Sequence, residues 1–250
     1  MSIALTGSIS GSVDQHTPQS LEASFENAWF ASAGGAFEGK LSEAPANLPA
    51  APILLFAHGS SGIGAPLKDF ARFVASIGWS FLAPDSFALA DRITYTSPVS
   101  RDNYERVHAM RSAELDYAAR HLNRVPGFSG RYAVAGTSEG GVAAARFNAP
   151  EGRPEAGRIL FSWPGEDNYH VAAHGTRIPD AVPVLNIMSA EDKYFSRSNP
   201  WLDNPEALGH AGRTLARHPA ASILLIPGAP HTLFMLPQTL SAVRAFLSRI

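Results

Sequence analysis

The protein has 250 residues, of which 45% are hydrophobic and 17% are charged, and its formal net charge is −2. These proportions suffice for a packed core and exclude wholesale disorder. The lack of a basic excess argues against nucleic acid as the main partner, because binding to phosphates requires one. The chain contains no cysteine, which excludes a disulfide scaffold, thiolate zinc sites, iron–sulfur clusters and a cysteine nucleophile.

Membrane and export signals are missing from the sequence. It has no run of about 18 apolar residues, so we expect no transmembrane helix and no membrane partner. The N-terminal stretch MSIALTGSISGSVDQ lacks the basic residues and the long apolar core of a signal peptide. We therefore expect a cytoplasmic protein, unless a leader upstream of this sequence has been removed.

Predicted strands are spread along the whole chain. The first segment, 20–41, has the pattern of two strands that turn at Gly34-Gly35 and form an antiparallel edge. Six short runs of almost continuous hydrophobicity follow, and each is typical of a strand buried on both faces of a parallel sheet. These runs are 53–57, 79–83, 132–135, 159–162, 184–188 and 222–226.

Between these runs, apolar residues recur at helical spacing, most clearly over 66–77. The long stretch 102–124 is predicted as a helix with Asp102 as its N-cap, and further helices are predicted at 140–147, 205–217 and 238–250. This alternation predicts an α/β fold with a mostly parallel, doubly wound sheet. In such sheets ligands bind beyond the carboxyl ends of the strands, so we expect functional residues in the loops that follow them.

The loop after the 132–135 strand reads Gly136-Thr137-Ser138-Glu139-Gly140, a G-x-S-x-G pattern that precedes an alanine-rich predicted helix. In a nucleophile elbow the serine occupies a strained turn, and its neighbours two positions away must be small to avoid a clash. The turn exposes the serine hydroxyl, and the following helix directs free N–H groups toward a developing anion. The alternative is an ordinary glycine-rich strand-to-helix turn.

A serine hydroxyl needs a base that accepts its proton. His231 lies on the loop after the last predicted strand, which is the place of the base in the chain order serine, acid, histidine. The acid is expected after the strand between them, where Glu191 and Asp192 are adjacent. We favour Asp192 and keep Glu191 as the alternative. The carboxylate would orient the imidazole and stabilise its charged form.

The loop after the 53–57 strand, HGSSG at 58–62, is the expected source of a second oxyanion donor. We assign the oxyanion hole to the backbone N–H groups of Ser60 and Glu139, and we expect His58 to brace this loop. A phosphate-binding loop is the alternative for the glycine-rich stretch, but the lysine which that motif requires does not follow.

Five motifs stand at the predicted strand ends: HGSSG (58–62), PDSFA (84–88), GTSEGG (136–141), SAEDKYF (189–195) and GAPHTLF (228–234). Together they resemble the dienelactone hydrolase-like branch of the α/β hydrolases, from about residue 52 to the C-terminus. The resemblance implies an α/β-hydrolase fold, a triad of Ser138, His231 and Asp192, the oxyanion hole named above, and neither metal nor cofactor. We expect a single domain over 1–250, with a small cap segment at about 163–182.

The chain departs from the founding dienelactone hydrolases at two points. Their nucleophile is a cysteine where this chain has Ser138, and they carry an arginine shortly after the Pro-Asp strand end, where the nearest arginine here is Arg92. An ordinary carboxylic ester is therefore a better expectation than dienelactone. Glu139 adds negative charge beside the nucleophile, which disfavours anionic substrates unless it pairs with an arginine.

Aromatic residues near these loops are candidates for substrate binding, with packing in the core or under a cap as the alternative. They are Phe87, Trp163, Tyr194 and Phe234, with Tyr169 and Phe195 as further candidates. His170 and His174 are spaced as a helical metal-binding pair would be, but the glutamate of H-E-x-x-H and a third ligand are missing from the pattern. We therefore predict no metal site.

These residues together predict a serine hydrolase that cleaves a small or medium carboxylic ester through an acyl-enzyme on Ser138. Its predicted partner is the small-molecule ester alone, and the sequence does not predict an oligomeric state. Two alternatives remain open. One is an acyltransferase or amidase that uses the same triad, and the other is a ligand-binding receptor on a hydrolase fold.

Overall fold

The computed structural model describes residues 4–250, so residues 1–3 of the predicted domain lie outside the described part. This part contains ten strands and five α-helices. The strands are β1 (Ile9–Ser10), β2 (Trp29–Ala31), β3 (Glu38–Lys40), β4 (Ala51–Ala57), β5 (Ser80–Ala83), β6 (Thr94–Tyr95), β7 (Phe128–Thr137), β8 (Arg158–Phe161), β9 (Val184–Ser189) and β10 (Ala221–Ile226). The helices are α1 (Pro18–Glu26), α2 (Ala65–Ser76), α3 (Arg101–Arg120), α4 (Glu139–Arg146) and α5 (Pro237–Leu247).

Eight strands form one sheet in the order β10-β9-β8-β7-β4-β5-β2-β3, and β1 pairs with β6 in a separate two-stranded sheet. All neighbours from β10 to β5 are parallel, whereas β2 is antiparallel to both β5 and β3. The prediction of a mostly parallel sheet with flanking helices is confirmed. The parallel order brings the carboxyl ends of β4, β7, β9 and β10 to one edge of the sheet.

Helices cover the central strands on both faces of the sheet, and successive strand residues point to opposite faces. In β4, Ile53 and Leu55 join the cluster that includes residues of α3 and α4, whereas Leu54 and Phe56 join the cluster that includes residues of α2 and α5. Five phenylalanines fill part of the second cluster, with neighbouring ring centroids 5.3–6.2 Å apart. They are Phe56, Phe70, Phe81, Phe161 and Phe234. Because Phe234 belongs to the loop after β10, this loop is anchored in the core.

The predicted pair of strands at 20–41 is confirmed only in its second half. Residues 20–26 belong to α1, because Thr17 and Ser20 form a reciprocal capping box and Pro18 opens the first turn. Local capping therefore overrides the strand-like pattern at this point. The hairpin of β2 and β3 is present at the antiparallel end of the sheet, and it turns at Gly34 with φ 74°.

The prediction of a helix at 205–217 is wrong, because this segment forms a series of turns. Side chains from elsewhere accept its backbone N–H groups: the Glu166 carboxylate binds Leu208 and Gly209 (3.0 Å each), and Asn186 Oδ1 binds Ala211 (2.9 Å). Gly209, at φ 78°, also interrupts any helical path.

The strand β10 lies at the edge of the sheet, where only β9 pairs with it. Its Ile223 and Leu225 are 37% and 40% exposed. The expectation of burial on both faces is therefore wrong for this strand, because an edge position leaves part of its side chains uncovered.

The helix α3 has 20 residues and begins at Arg101, because Ser100 Oγ accepts the Asn103 N–H (3.4 Å) as the N-cap. Asp102, the predicted N-cap, lies instead in the first turn, where its negative charge interacts favourably with the helix dipole. Neither α3 nor any other helix within residues 4–250 is long and apolar enough to cross a lipid bilayer.

Candidate active site

Ser138 forms the sharp turn between β7 and α4. Its backbone has φ 52° and ψ −116°, a strained conformation for a residue with a side chain. The glycines of the motif are required by close contacts. A Cβ on Gly136 would lie 2.1 Å from the Gly140 carbonyl oxygen, and one on Gly140 would lie 2.1 Å from that of Ala57. This turn has the geometry of a nucleophile elbow.

Asp192 and His231 meet at the carboxyl ends of β9 and β10. Asp192 Oδ2 lies 2.7 Å from His231 Nδ1, while its Oδ1 accepts the backbone N–H groups of Tyr194 (2.9 Å) and Phe195 (3.1 Å). Asp192 is buried, so these bonds fix both the carboxylate and the ring that it holds. Glu191 accepts the Gly228 N–H (2.7 Å) instead. The structure thus brings Asp192, and not Glu191, to the histidine.

The two proposed oxyanion donors lie at the start of α4 and in the loop after β4. Glu139 is the first residue of α4, and the first N–H groups of a helix have no partner within it. Ser60 lies in a tight turn closed by the hydrogen bond from Gly62 N to Gly59 O (3.1 Å). Within residues 4–250 neither amide has a protein acceptor, so both are free to bind an oxygen of a ligand.

The Glu139 side chain is neutralised by two buried arginines. Its Oε1 lies 2.6 Å from Arg92 Nη2 and 3.4 Å from Arg111 Nε. Arg111 also binds Glu114 at 2.5 Å. The local negative charge considered from the sequence is therefore paired with arginine, and the site does not gain an uncompensated carboxylate beside Ser138.

His58 is buried and braces the loop that carries Ser60. Its Nδ1 donates to the Gly59 carbonyl oxygen (2.8 Å), and its Nε2 accepts the Ser86 N–H (3.1 Å). Burial, followed by the positive charge of Arg111, lowers the pKa of His58 to about 3. The ring is therefore neutral at pH 7 and serves as a fixed link between the loops after β4 and β5.

Two cavities meet at Ser138, and both are lined by Ser60, Ser61, Ser138 and His231. The smaller has a volume of about 140 Å³, and Leu67 and Phe234 contribute apolar walls. The larger has a volume of about 380 Å³. Its further lining residues are Tyr95, Thr96, Ser97, Tyr169, His170, Tyr194, Phe195 and Trp201. A ligand that contacts Ser138 would therefore find space on two sides of this residue.

Of the four residues assigned to substrate binding, two line these cavities. Phe234 lies in the smaller one, and Tyr194 lies in the larger one, with its ring 4.7 Å edge-on from that of His231. The structure does not bring Phe87 or Trp163 to either cavity. Phe87 stacks on His58 with 44% of its surface exposed, because the short turn at Ser86–Ala88 directs it outward. Trp163 is fully buried beside Gly141.

The predicted cap segment at about 163–182 contains neither helix nor strand, and its Tyr169 and His170 form part of the wall of the larger cavity. His170 and His174 do not point to a common ligand: His170 Nε2 contacts Tyr95 Oη (3.1 Å), and His174 Nδ1 contacts Thr176 Oγ1 (3.0 Å). In the described range 4–250, no cluster of three or more potential metal-binding side chains occurs.

Several residues of the larger cavity were not predicted from the sequence, among them Tyr95, Ser97 and Trp201. Tyr95 belongs to the two-residue strand β6, and Trp201 to an irregular loop. Neither segment has a periodic pattern, so only the position of 94–97 between a strand-end motif and α3 could have suggested a role.

Comparisons with known proteins agree with this architecture. A scan against protein-family models and a search of curated proteins found no match. Among solved structures, Est1E from Butyrivibrio proteoclasticus is similar with a TM-score of 0.54 at 14% identity, covering 89% of this chain and 93% of that chain. Esterase PE8 has a TM-score of 0.56 at 17% identity, with 88% and 97% covered. Dienelactone hydrolase from Anabaena variabilis has a TM-score of 0.51 at 19% identity, with 80% and 85% covered. The chain therefore has the α/β-hydrolase fold that these proteins share.

Proposed function

We propose that the protein is a serine hydrolase that cleaves a small or medium carboxylic ester through an acyl-enzyme on Ser138. The observation that carries this proposal is the Asp192–His231 hydrogen bond of 2.7 Å, in a site whose histidine shares both cavities with a serine held at φ 52°. The similarity in fold to two esterases and a dienelactone hydrolase supports it.

In the proposed mechanism His231 Nε2 takes the proton of Ser138 as Oγ attacks the ester carbonyl carbon. The N–H groups of Ser60 and Glu139 stabilise the resulting oxyanion. His231 then protonates the leaving alcohol as the carbon–oxygen bond breaks, which leaves the acyl group on Ser138. Water, deprotonated by the same histidine, attacks the acyl-enzyme and releases the acid, while Asp192 keeps the ring oriented and stabilises its cationic form.

The proposal is tested by labelling the protein with a fluorophosphonate probe and mapping the modified peptide by mass spectrometry. We expect one label per chain, attached to Ser138, and none after heat denaturation, because only the folded site activates the hydroxyl. A label on Ser60, Ser61 or another residue would contradict the assignment. Product analysis with added alcohols and amines then separates hydrolysis from acyl transfer.

A further inference from the structure

The eight-stranded sheet ends differently at its two outer strands. At one end β3 carries Glu38 and Lys40, both exposed, and Glu38 is paired with Arg72 at 2.7 Å. Charged residues of this kind keep an edge strand from pairing with another strand. The strand β10, at the opposite end, contains no charged residue and no proline, and it pairs with β9 without a bulge. This edge therefore lacks the features that prevent further pairing.

The hydrogen bonds to β9 show which backbone groups of β10 are free. The N–H of Val184 donates to the Ala220 carbonyl oxygen (3.0 Å), and that of Ala190 donates to the Ile226 carbonyl oxygen (3.1 Å). Because the backbone groups of successive strand residues point to alternate sides, even-numbered residues here bond to β9 and odd-numbered ones direct N–H and C=O outward. The outward groups have no hydrogen-bond partner among residues 4–250. They belong to Ala221, Ile223 and Leu225.

The side chains on this edge are aliphatic and partly uncovered. Ile223 and Leu225 are 37% and 40% exposed. They lie on the face of the sheet opposite α5, since Leu224 between them packs against the cluster that includes residues of α5. On that face the turns of 205–217 cover them only in part. Aliphatic side chains in a row along an unpaired edge are typical of a strand that binds another strand.

The strand β10 is complementary to a second copy of itself. Hydrogen-bonded and other pairs alternate along an antiparallel ladder, so a twofold axis must pass through a pair in which one residue faces its own copy. With Ile223 at the axis, Leu225 lies opposite Ala221 of the second copy. Every outward N–H group then meets a C=O group of the other strand. All opposing side chains are apolar, and no like charges meet.

We propose that the protein forms a twofold-symmetric dimer in which β10 pairs antiparallel with β10 of a second copy, centred on Ile223. The two eight-stranded sheets join into one. The strands of the two copies run in opposite directions, so their Ser138 sites open toward opposite sides of the dimer. No residue of β10 lines either cavity beside Ser138, and the dimer is therefore independent of the proposed function.

Sedimentation velocity on the purified full chain tests the proposal. We expect the wild type to sediment as a dimer at about 100 µM, well above the Kd of a micromolar interface. Ile223→Lys should sediment as a monomer at the same concentration, because two like charges would face each other directly across the axis. Ile223→Glu should do the same. An equimolar mixture of these two variants should restore the dimer, since opposite charges then meet.

Leu5→Lys is the matched control for these variants. Leu5 is 57% exposed and precedes β1, outside the eight-stranded sheet, so this variant should remain a dimer. Circular dichroism shows whether each variant is folded. A monomeric wild type would overturn the proposal and leave the edge to a different partner. A dimer that Ile223→Lys does not disrupt, or a mixture that stays monomeric, would also overturn it.

Cysteine substitution tests the register, even if the lysine and glutamate variants do not fold. The chain has no cysteine of its own. In the proposed register the two Ile223 Cα atoms lie about 5.5 Å apart, within the range that a disulfide spans, whereas those of Ser222 lie about 8 Å apart, beyond it. Oxidation should therefore crosslink Ile223→Cys, but not Ser222→Cys, to a dimer on a non-reducing gel. Crosslinking of Ser222→Cys, or of neither variant, would overturn the proposed pairing.

Discussion

Replacing Ser138 with alanine is expected to lower kcat for p-nitrophenyl acetate by about a million-fold, because the reaction loses its nucleophile while the other groups remain in place. The elbow places Ser138 at the junction of both cavities, and no cysteine in the chain can replace it. The residual rate should still exceed that in water, since the oxyanion hole and substrate binding persist.

The measurement is a stopped assay on purified wild type and Ser138→Ala, with circular dichroism to show that both are folded. Ser76→Ala, on the surface of α2 with its hydroxyl bonded to the Phe73 carbonyl (2.7 Å), controls for the loss of a serine hydroxyl elsewhere. A Ser138→Ala rate within tenfold of the wild type would show that another residue is the nucleophile.

Asp192→Asn is expected to lower kcat by about ten thousand-fold with little change in fold. The asparagine oxygen can still accept the two backbone N–H groups that Asp192 Oδ1 accepts now. Its NH2 group would then face His231 Nδ1, which could only accept. The ring proton would move to Nε2, where it faces the serine and prevents the ring from acting as a base.

Glu191→Gln is the matched control for this variant. It makes the same change in the adjacent residue, whose carboxylate contacts Gly228 rather than the histidine. We expect kcat of Glu191→Gln to remain within about threefold of the wild type, as for a surface substitution. If Glu191→Gln were the inactive variant of the two, the acid would have been assigned to the wrong residue.

The catalytic candidates could be predicted from the sequence because each stands in a motif with its own local physics. Gly136 and Gly140 are needed because a Cβ at either position would lie 2.1 Å from a backbone carbonyl oxygen, and Ser138 must adopt a positive φ. The strand β7 precedes this motif and α4 follows it, so a local pattern was enough to place the hydroxyl at the carboxyl end of a strand. The order of strands then brought Asp192 and His231 together.

The features that were not predicted correctly depend on contacts between segments far apart in the chain. The periodicity of apolar residues does not encode such contacts. The segment 205–217, where a helix was predicted, is an example, since the side chains of Glu166 and Asn186 accept hydrogen bonds from its backbone. Trp163 follows a strand as a binding residue would, but the tight approach of Gly141 leaves it in the core. Tyr95 lines the cavity from β6, a strand that pairs with β1 almost at the N-terminus of the described chain.

The most direct measurement is a crystal structure of the protein after reaction with a diethyl phosphonate. We expect continuous density from Ser138 Oγ to phosphorus, with the phosphoryl oxygen about 2.7–3.1 Å from the amide nitrogens of both Ser60 and Glu139. His231 should lie within hydrogen-bond distance of the adduct and remain bound to Asp192. Density on any other side chain, or a phosphoryl oxygen directed away from both amides, would contradict the proposed site.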